Sequence, residues 1–285
     1  MKKFETVGII GVGMIGGSIG MALRKRKLSH KVVGIGRNPS KLRRAKVLGA
    51  IDEGYTNFDK GLKNARLVIV ATPVGLIPGM VKRALPYLED GSIVTDVGSV
   101  KSSLIREIEG FLPPHIYFVG AHPIAGSETF GVENARPTLF KGTNCVLTPT
   151  VNTNPNAMSV VGEMWKEIGA KVLLINPAQH DELLSFTSHL PHIVAVALIE
   201  TLSNPEKKYK NIREFVGGGF RDTTRIASSS PIMWRDICVA NREAVLNALG
   251  KFKSIINQIE RIISLEKWDI LFRKLIRAKE ERDSL

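Results

Sequence analysis

A chain of 285 residues, 44% hydrophobic and 24% charged, is long enough for two domains and needs no disulfide or metal staple. Its two cysteines, Cys145 and Cys238, stand far apart in apolar stretches, which excludes a disulfide framework and a metal knuckle and makes a reducing, cytoplasmic setting the expectation. The net charge of +13 admits a nucleic-acid binder, but the Lys and Arg residues are dispersed, with neither zinc-finger spacing nor an aromatic, basic RNA-binding signature; a field that draws in anionic small molecules is the expectation, with no nucleic-acid partner.

The N-terminal residues run directly into a strand pattern interrupted by glycines, which reads as neither a signal peptide nor a membrane span. No apolar stretch approaches the roughly 20 residues that cross a bilayer, so no membrane partner is expected. Short apolar runs at 6–10, 32–35, 67–71, 92–97, 117–120, 144–148 and 171–175 predict strands. Helical patterns lie between them at 15–26, 74–88, 100–111 and 157–169. Such alternation predicts an α/β fold, a Rossmann-type doubly wound sheet, mostly parallel, with helices on both faces.

After Asn176-Pro177 the pattern becomes almost wholly helical. Residues 178–201 predict one long apolar helix kinked at Pro191. A polar connection follows at 204–211, and one helix is expected over 231–263. Leu246, Leu249, Phe252, Ile256, Ile259 and Ile263 recur there every three or four residues and share a face. That face is long for so small a domain and predicts a homodimer. A charged amphipathic helix closes the chain at 267–285. The expected division is therefore 1–176, dinucleotide-binding, and 177–285, all-α.

The first strand leads into Gly11-Val12-Gly13-Met14-Ile15-Gly16, a G-x-G-x-x-G between strand and helix. Gly11 permits the tight turn, Gly13 lets a pyrophosphate approach the backbone, and Gly16 lets the helix pack on the strand. The free amides at the helix start favour phosphate charge. Met14, Ile15, Thr72 and Pro73 are counted with the glycines as cofactor-binding. The acidic residue that binds the ribose 2′-hydroxyl of NAD is absent after the second strand. Arg37 stands there instead, and its fork suits a 2′-phosphate. The cofactor is expected to be NAD or NADP, with Arg37 pointing toward NADP.

Two segments follow later strands: 96–101, which holds Ser99, and 120–127, which holds His122 and Ser127. In an open parallel sheet the ligand lies outside the carboxyl ends of the strands. A histidine there, with a hydroxyl nearby, is a candidate proton acceptor. The helical half adds Ser188-His189-Leu190-Pro191-His192, with both histidines on one helix face. It also adds a triple glycine at 217–219, read as a helix break, followed by Asp222 and Arg225 three apart. That pair reads either as a surface ion pair or as an arginine aimed at a substrate carboxylate. No carboxylate or thiol cluster accompanies the histidines, so no metal is expected.

Taken in order, Gly11–Gly16, 96–101, 120–126, 188–192, 217–225 and Pro231-Ile232-Met233-Trp234-Arg235-Asp236 resemble the successive motifs of the prephenate/arogenate dehydrogenases. The resemblance implies a Rossmann domain followed by a helical domain that binds substrate and dimerises. It implies that His122 is the catalytic base and Ser99 its hydrogen-bonding partner. It further implies that Arg225 holds a substrate carboxylate, that His192 lies near the substrate side chain, and that His189, Ser127, Glu128, Asp222 and Trp234 line or support the site. The implied reaction converts prephenate to 4-hydroxyphenylpyruvate in tyrosine biosynthesis with NAD(P) as hydride acceptor. Two alternatives stand beside it: arogenate as substrate, giving tyrosine directly, and a non-catalytic basic dinucleotide- or nucleic-acid-binding protein.

Overall fold

The computed structural model describes residues 4–126, 129–202 and 209–284. Strands β1 (Phe4–Ile10), β2 (Ser29–Ile35), β3 (Glu53–Tyr55), β4 (Ala65–Val70), β5 (Ile93–Asp96) and β6 (Tyr117–Val119) form a parallel sheet in the order β3-β2-β1-β4-β5-β6. Leu67, Val68, Ile69 and Val70 of β4 are all fully buried, the continuous apolar run of a central strand covered on both faces. Helices α1 (Met14–Lys25) and α2 (Pro39–Val47) follow β1 and β2, and α3 (Phe58–Gly61) is a single turn before β4. Beyond β4 come α4 (Ile77–Ala84) and α5 (Ser102–Glu109). Apolar cores lie on the two faces of the sheet. Strand order reverses between β1 and β4, which opens a crevice at their carboxyl ends.

The single sheet expected from the sequence divides in two. Strands β7 (Ala121–Pro123), β8 (Asn144–Leu147) and β9 (Lys171–Leu174) form a separate three-stranded sheet, with β7 antiparallel to β8. The crossing from β6 to β7 is made at Gly120. A Cβ there would lie 2.6 Å from Thr148 Oγ1 and 2.7 Å from Ile105 Cδ1, so only glycine lets the chain pass between the sheets. Helix α6 (Pro155–Glu167) covers this corner with Trp165, edge-on to Phe140.

The helical half begins with α7 (Pro177–Leu184) and α8 (Leu190–Thr201), joined by a π-helical turn at Ser185–His189. Pro191 has no N–H to continue the ladder, and the wider turn before it absorbs the mismatch. The run Pro177–Thr201 overturns one expectation: its 25 residues, with hydropathy 1.4 in an 18-residue window, suffice by length and composition to cross a membrane. His180, Asp181, His189 and His192 interrupt the run, and all four are buried.

Two further expectations change. The triple glycine opens a helix, α9 (Gly218–Thr224), with Gly217 at its N-cap. The helix expected over 231–263 is two helices, α10 (Pro231–Ala240) and α11 (Arg242–Ser264), separated at Asn241, whose φ of −118° and ψ of 34° leave the helical region. Val245 and Ala248 are the buried residues of α11. Leu246, Ile256 and Ile263 are exposed, as are Trp268, Phe272 and Leu275 of the closing helix α12 (Trp268–Asp283).

Candidate active site

The turn after β1 is shaped by what its residues lack. Gly11 has φ +95°, and a Cβ on it would meet the Ala71 carbonyl oxygen at 2.7 Å. A Cβ on Gly16 would lie 2.2 Å from the Gly11 oxygen, whereas one on Gly13 would meet nothing within 4 Å. Gly11 and Gly16 are thus demanded by close packing, and Gly13 borders open space. Gly13 is also the N-cap of α1 and offers no side chain to the first-turn amides. Half-buried Met14 and Ile15 begin the helix, and the hydroxyl of Thr72 across the turn is buried without a partner. Open backbone, uncapped amides and an orphaned hydroxyl fit a dinucleotide pyrophosphate. Pro73 is exposed beside them, and Arg37 is exposed just past β2. Neighbouring Asn38 caps α2, accepting from the amides of Ser40 and Lys41 and from the Ser40 hydroxyl.

The crevice beyond β5 holds charge that composition does not reveal. Lys101 is fully buried and paired with fully buried Asp96. Its ammonium also donates to the Ala121 carbonyl at 2.9 Å, and Asp96 accepts from the amides of Gly98 (2.8 Å) and Ala121 (3.1 Å). These bonds tie the loop carrying Ser99 to the strand carrying His122. A buried pair of this kind is costly to break from one side, by about 3–5 kcal/mol, because the other charge is left uncompensated.

His122 lies within β7, not in a loop after a strand, and is buried. Its Nδ1 is 2.8 Å from His180 Nε2, and His180 Nδ1 is 2.8 Å from Asp181 Oδ1. Asp181, from the helical half, accepts 2.8 Å bonds from the amides of Lys101 and Ser102 and so caps α5. Burial raises the Asp181 carboxyl, but the bonds from His180 and the two amides outweigh it and hold the group below its ordinary value. Burial, then the neighbouring His180, Lys101 and His189, push His122 well below 6.5, so its ring is neutral at physiological pH. Ser99, half-buried, sits three residues past β5 on the same rim.

A second wall comes from the helical half. His192 stacks on Trp234 with centroids 3.6 Å apart and planes within 6°, and His189 meets the same indole edge-on at 6.0 Å. His192 Nδ1 and Trp234 Nε1 are buried without hydrogen-bond partners. Burial lowers His192 and brings His189 down to about 4. Helix α10, which carries Trp234, presses on the turn after Pro73: a Cβ on Gly75 would be 3.0 Å from the Asp236 carboxylate. Arg225 begins the turn Arg225–Ser228, which packs on α8. Asp222 is exposed and, among the described residues, forms no ion pair with Arg225. Ser127 and Glu128 lie outside the described residues.

The structure thus gathers His122, His189, His192 and Trp234 at the seam between the two halves, and it adds Asp96, Lys101, His180, Asp181 and Asn241. Asp96 and Lys101 end the 96–101 motif already singled out, whereas the adjacent His180-Asp181 near the start of α7 is the signal in the sequence that could have found that pair.

Residues 19–174 match the family model described as prephenate dehydrogenase, nucleotide-binding domain, and residues 176–277 match prephenate dehydrogenase, dimerization domain. The chain is 37% identical to prephenate dehydrogenase of Bacillus subtilis over 99% of this chain and 76% of that protein. It is 33% identical to cyclohexadienyl dehydrogenase of Zymomonas mobilis over 100% and 97% of the two chains. The crystal structure of Aquifex aeolicus prephenate dehydrogenase in complex with hydroxyphenyl propionate and NAD+ superposes with a TM-score of 0.89 at 37% identity, covering 98% of this chain and 97% of that one. By sequence over its whole length, by both domain models and by fold, the chain belongs to the prephenate dehydrogenase family of NAD-dependent oxidoreductases.

Proposed function

We propose that the chain oxidises and decarboxylates prephenate to 4-hydroxyphenylpyruvate in tyrosine biosynthesis, with His122 as the base. One observation carries the reading: a buried histidine, neutral by desolvation, stands at the seam between the dinucleotide turn and the helical half. An imidazole accepts a proton only when neutral, and burial favours that form. When bound, the nicotinamide cofactor supplies the acceptor for hydride from the substrate's ring C4. His122 takes the proton of the C4 hydroxyl, and the Ser99 hydroxyl holds that oxygen in line with the ring. The carbonyl so formed lets the ring lose CO2 and become aromatic, which drives the sequence without a metal. Arg225 holds a substrate carboxylate, with Asp222 in support. His192, His189 and Trp234 bound the side chain, and the unpaired Nδ1 and Nε1 atoms offer it polar contacts. Ser127 and Glu128 belong to the same proposed lining.

Residues 1–176 are proposed as the cofactor domain and 177–285 as the substrate-binding and dimerisation domain. The exposed apolar residues of α11 and α12 are what a homodimer would cover. Exposed Arg37, at the place of the usual acidic residue, supports NADP binding at least as well as NAD. A cytoplasmic enzyme without a membrane or nucleic-acid partner fits the field of +13 and its two anionic ligands. Turnover measured with prephenate and with arogenate, each with NAD and with NADP, tests the reading; activity with neither substrate overturns it.

A further inference from the structure

The proton positions along the seam are traced outward from groups that have no choice of role. The Lys101 and Ser102 amides only donate, so both Asp181 oxygens accept from them. The carboxylate is ionised and carries no proton of its own, so His180 Nδ1 at 2.8 Å must be the N–H. If that is the ring's one proton, Nε2 is a lone pair and His122 Nδ1, 2.8 Å away, is the N–H that donates to it. That leaves the lone pair of His122 on Nε2.

The main chain of the same residue starts a second line. The Asp181 carbonyl accepts from Asn241 Nδ2 at 2.8 Å, which makes that atom the amide nitrogen. The same nitrogen lies 3.2 Å from His189 Nδ1, which therefore accepts, and the proton of neutral His189 sits on Nε2.

We propose that Asp181 is a positioning residue that sets two histidines in opposite tautomers: His122 as an acceptor through Nε2, and His189 as a donor through Nε2. This rests on the reading of His122 as the base. The Asp181 carboxylate sets the His122 tautomer while it also caps α5, so the base is assembled by docking α7 onto the dinucleotide domain. The carboxylate has a second effect. Once His122 takes a proton, its new charge is faced through His180 by the Asp181 anion, the orienting logic of a hydrolase triad. The other titratable groups around the ring are Lys101 with its partner Asp96, His189, and Cys145 on β8, whose thiol burial keeps protonated. None of them lies in the chain of bonds to Nδ1.

Nitrogen-15 NMR of the histidine rings, on the protein without substrate, reads the tautomers directly. The expected spectrum has His122 protonated at Nδ1 and His189 at Nε2. Asp181→Asn removes the anion and leaves one acceptor oxygen for three donors, the Lys101 and Ser102 amides and His180 Nδ1, so it should loosen the hold on the His122 Nδ1 proton and lower kcat by about 10²–10⁴-fold, the worth of general base catalysis, with little change in KM for prephenate. Because Asp181 also caps α5, a second pair guards against misfolding. His180→Leu removes the acceptor and should lower kcat, whereas His180→Gln restores an acceptor and should recover much of the loss. His122 protonated at Nε2 in the parent, or equal kcat in the Leu and Gln variants, would overturn the proposal. Tautomers as stated without turnover of prephenate or arogenate would leave the relay standing and remove the proposed reaction.

Discussion

The glycine turn and the interdomain seam lie in one crevice and are built by opposite means. The turn works by subtraction: Gly11 and Gly16 bring backbone within contact distances no side chain allows, and Gly13 leaves space open. The seam works by burial of charge: Lys101, Asp96 and Asp181 are held out of water by bonds to one another, to amides and to His180. Backbone geometry is a local property, so the turn can be altered without unfolding the domain. The seam draws on β5, β7, α5, α7 and the break at Asn241 together, so its chemistry depends on both halves being docked.

That contrast is sharpest at Lys101. Lys101→Ala leaves Asp96 buried and unpaired, and should destabilise the protein by about 3–5 kcal/mol, read by denaturant unfolding. A loss below 1 kcal/mol would mean water reaches Asp96. The turn should respond differently. Gly11→Ala places a Cβ against the Ala71 carbonyl at a φ that side chains rarely adopt, and should weaken cofactor binding while the unfolding midpoint falls by less than in Lys101→Ala. Equal loss of stability would erase the distinction between the two regions. Arg225→Ala should cost about 1.5–3 kcal/mol, the value of a hydrogen bond to a charged group, seen as a raised KM for prephenate with cofactor affinity little changed. An unchanged KM would make Arg225 structural.

Stability should also report the seam's histidines. His189 falls to about 4 and His122 lies well below 6.5 in the folded protein. Between those values and the unfolded value near 6.5, the unfolded chain binds more protons than the folded one. Stability therefore rises with pH across that window and is lost as pH falls from about 6.5 toward about 4. A melting temperature flat over that range would contradict neutral, buried rings. The smallest effect belongs to the outer end of the turn: Arg37→Asp should shift preference from NADP toward NAD and leave kcat with NAD nearly unchanged. A parent that strongly prefers NAD, unaffected by Arg37→Ala, would refute a 2′-phosphate contact.

The same contrast explains what the sequence made legible. Most strands of the parallel sheet were readable because they carry short apolar runs, such as Leu67, Val68, Ile69 and Val70 of β4, and the glycine turn because its spacing expresses a local backbone requirement. Strands β3 and β7 escaped notice because Glu53-Gly54-Tyr55 and Ala121-His122-Pro123 lack the apolar run that marked the equally short β6, Tyr117-Phe118-Val119. The Asp181 cap joins residues 79 and 80 positions apart, and the His122–His180 contact spans 58, so no local pattern signals them. Lys101 stood in a recognised motif, but its burial depends on α7 covering it. Asn241 interrupts an apolar periodicity that continues on both sides, so the break between α10 and α11 was invisible.

The most direct test of the account is the pH dependence of kcat with prephenate, in the parent and in His122→Asn. The parent should rise with pH through a single ionisation below the ordinary histidine value near 6.5 and then level. His122→Asn should lose about 10²–10⁴-fold in kcat and lose that acidic limb as well. A variant that keeps near-parent kcat, or that keeps the limb unchanged, would contradict His122 as the base.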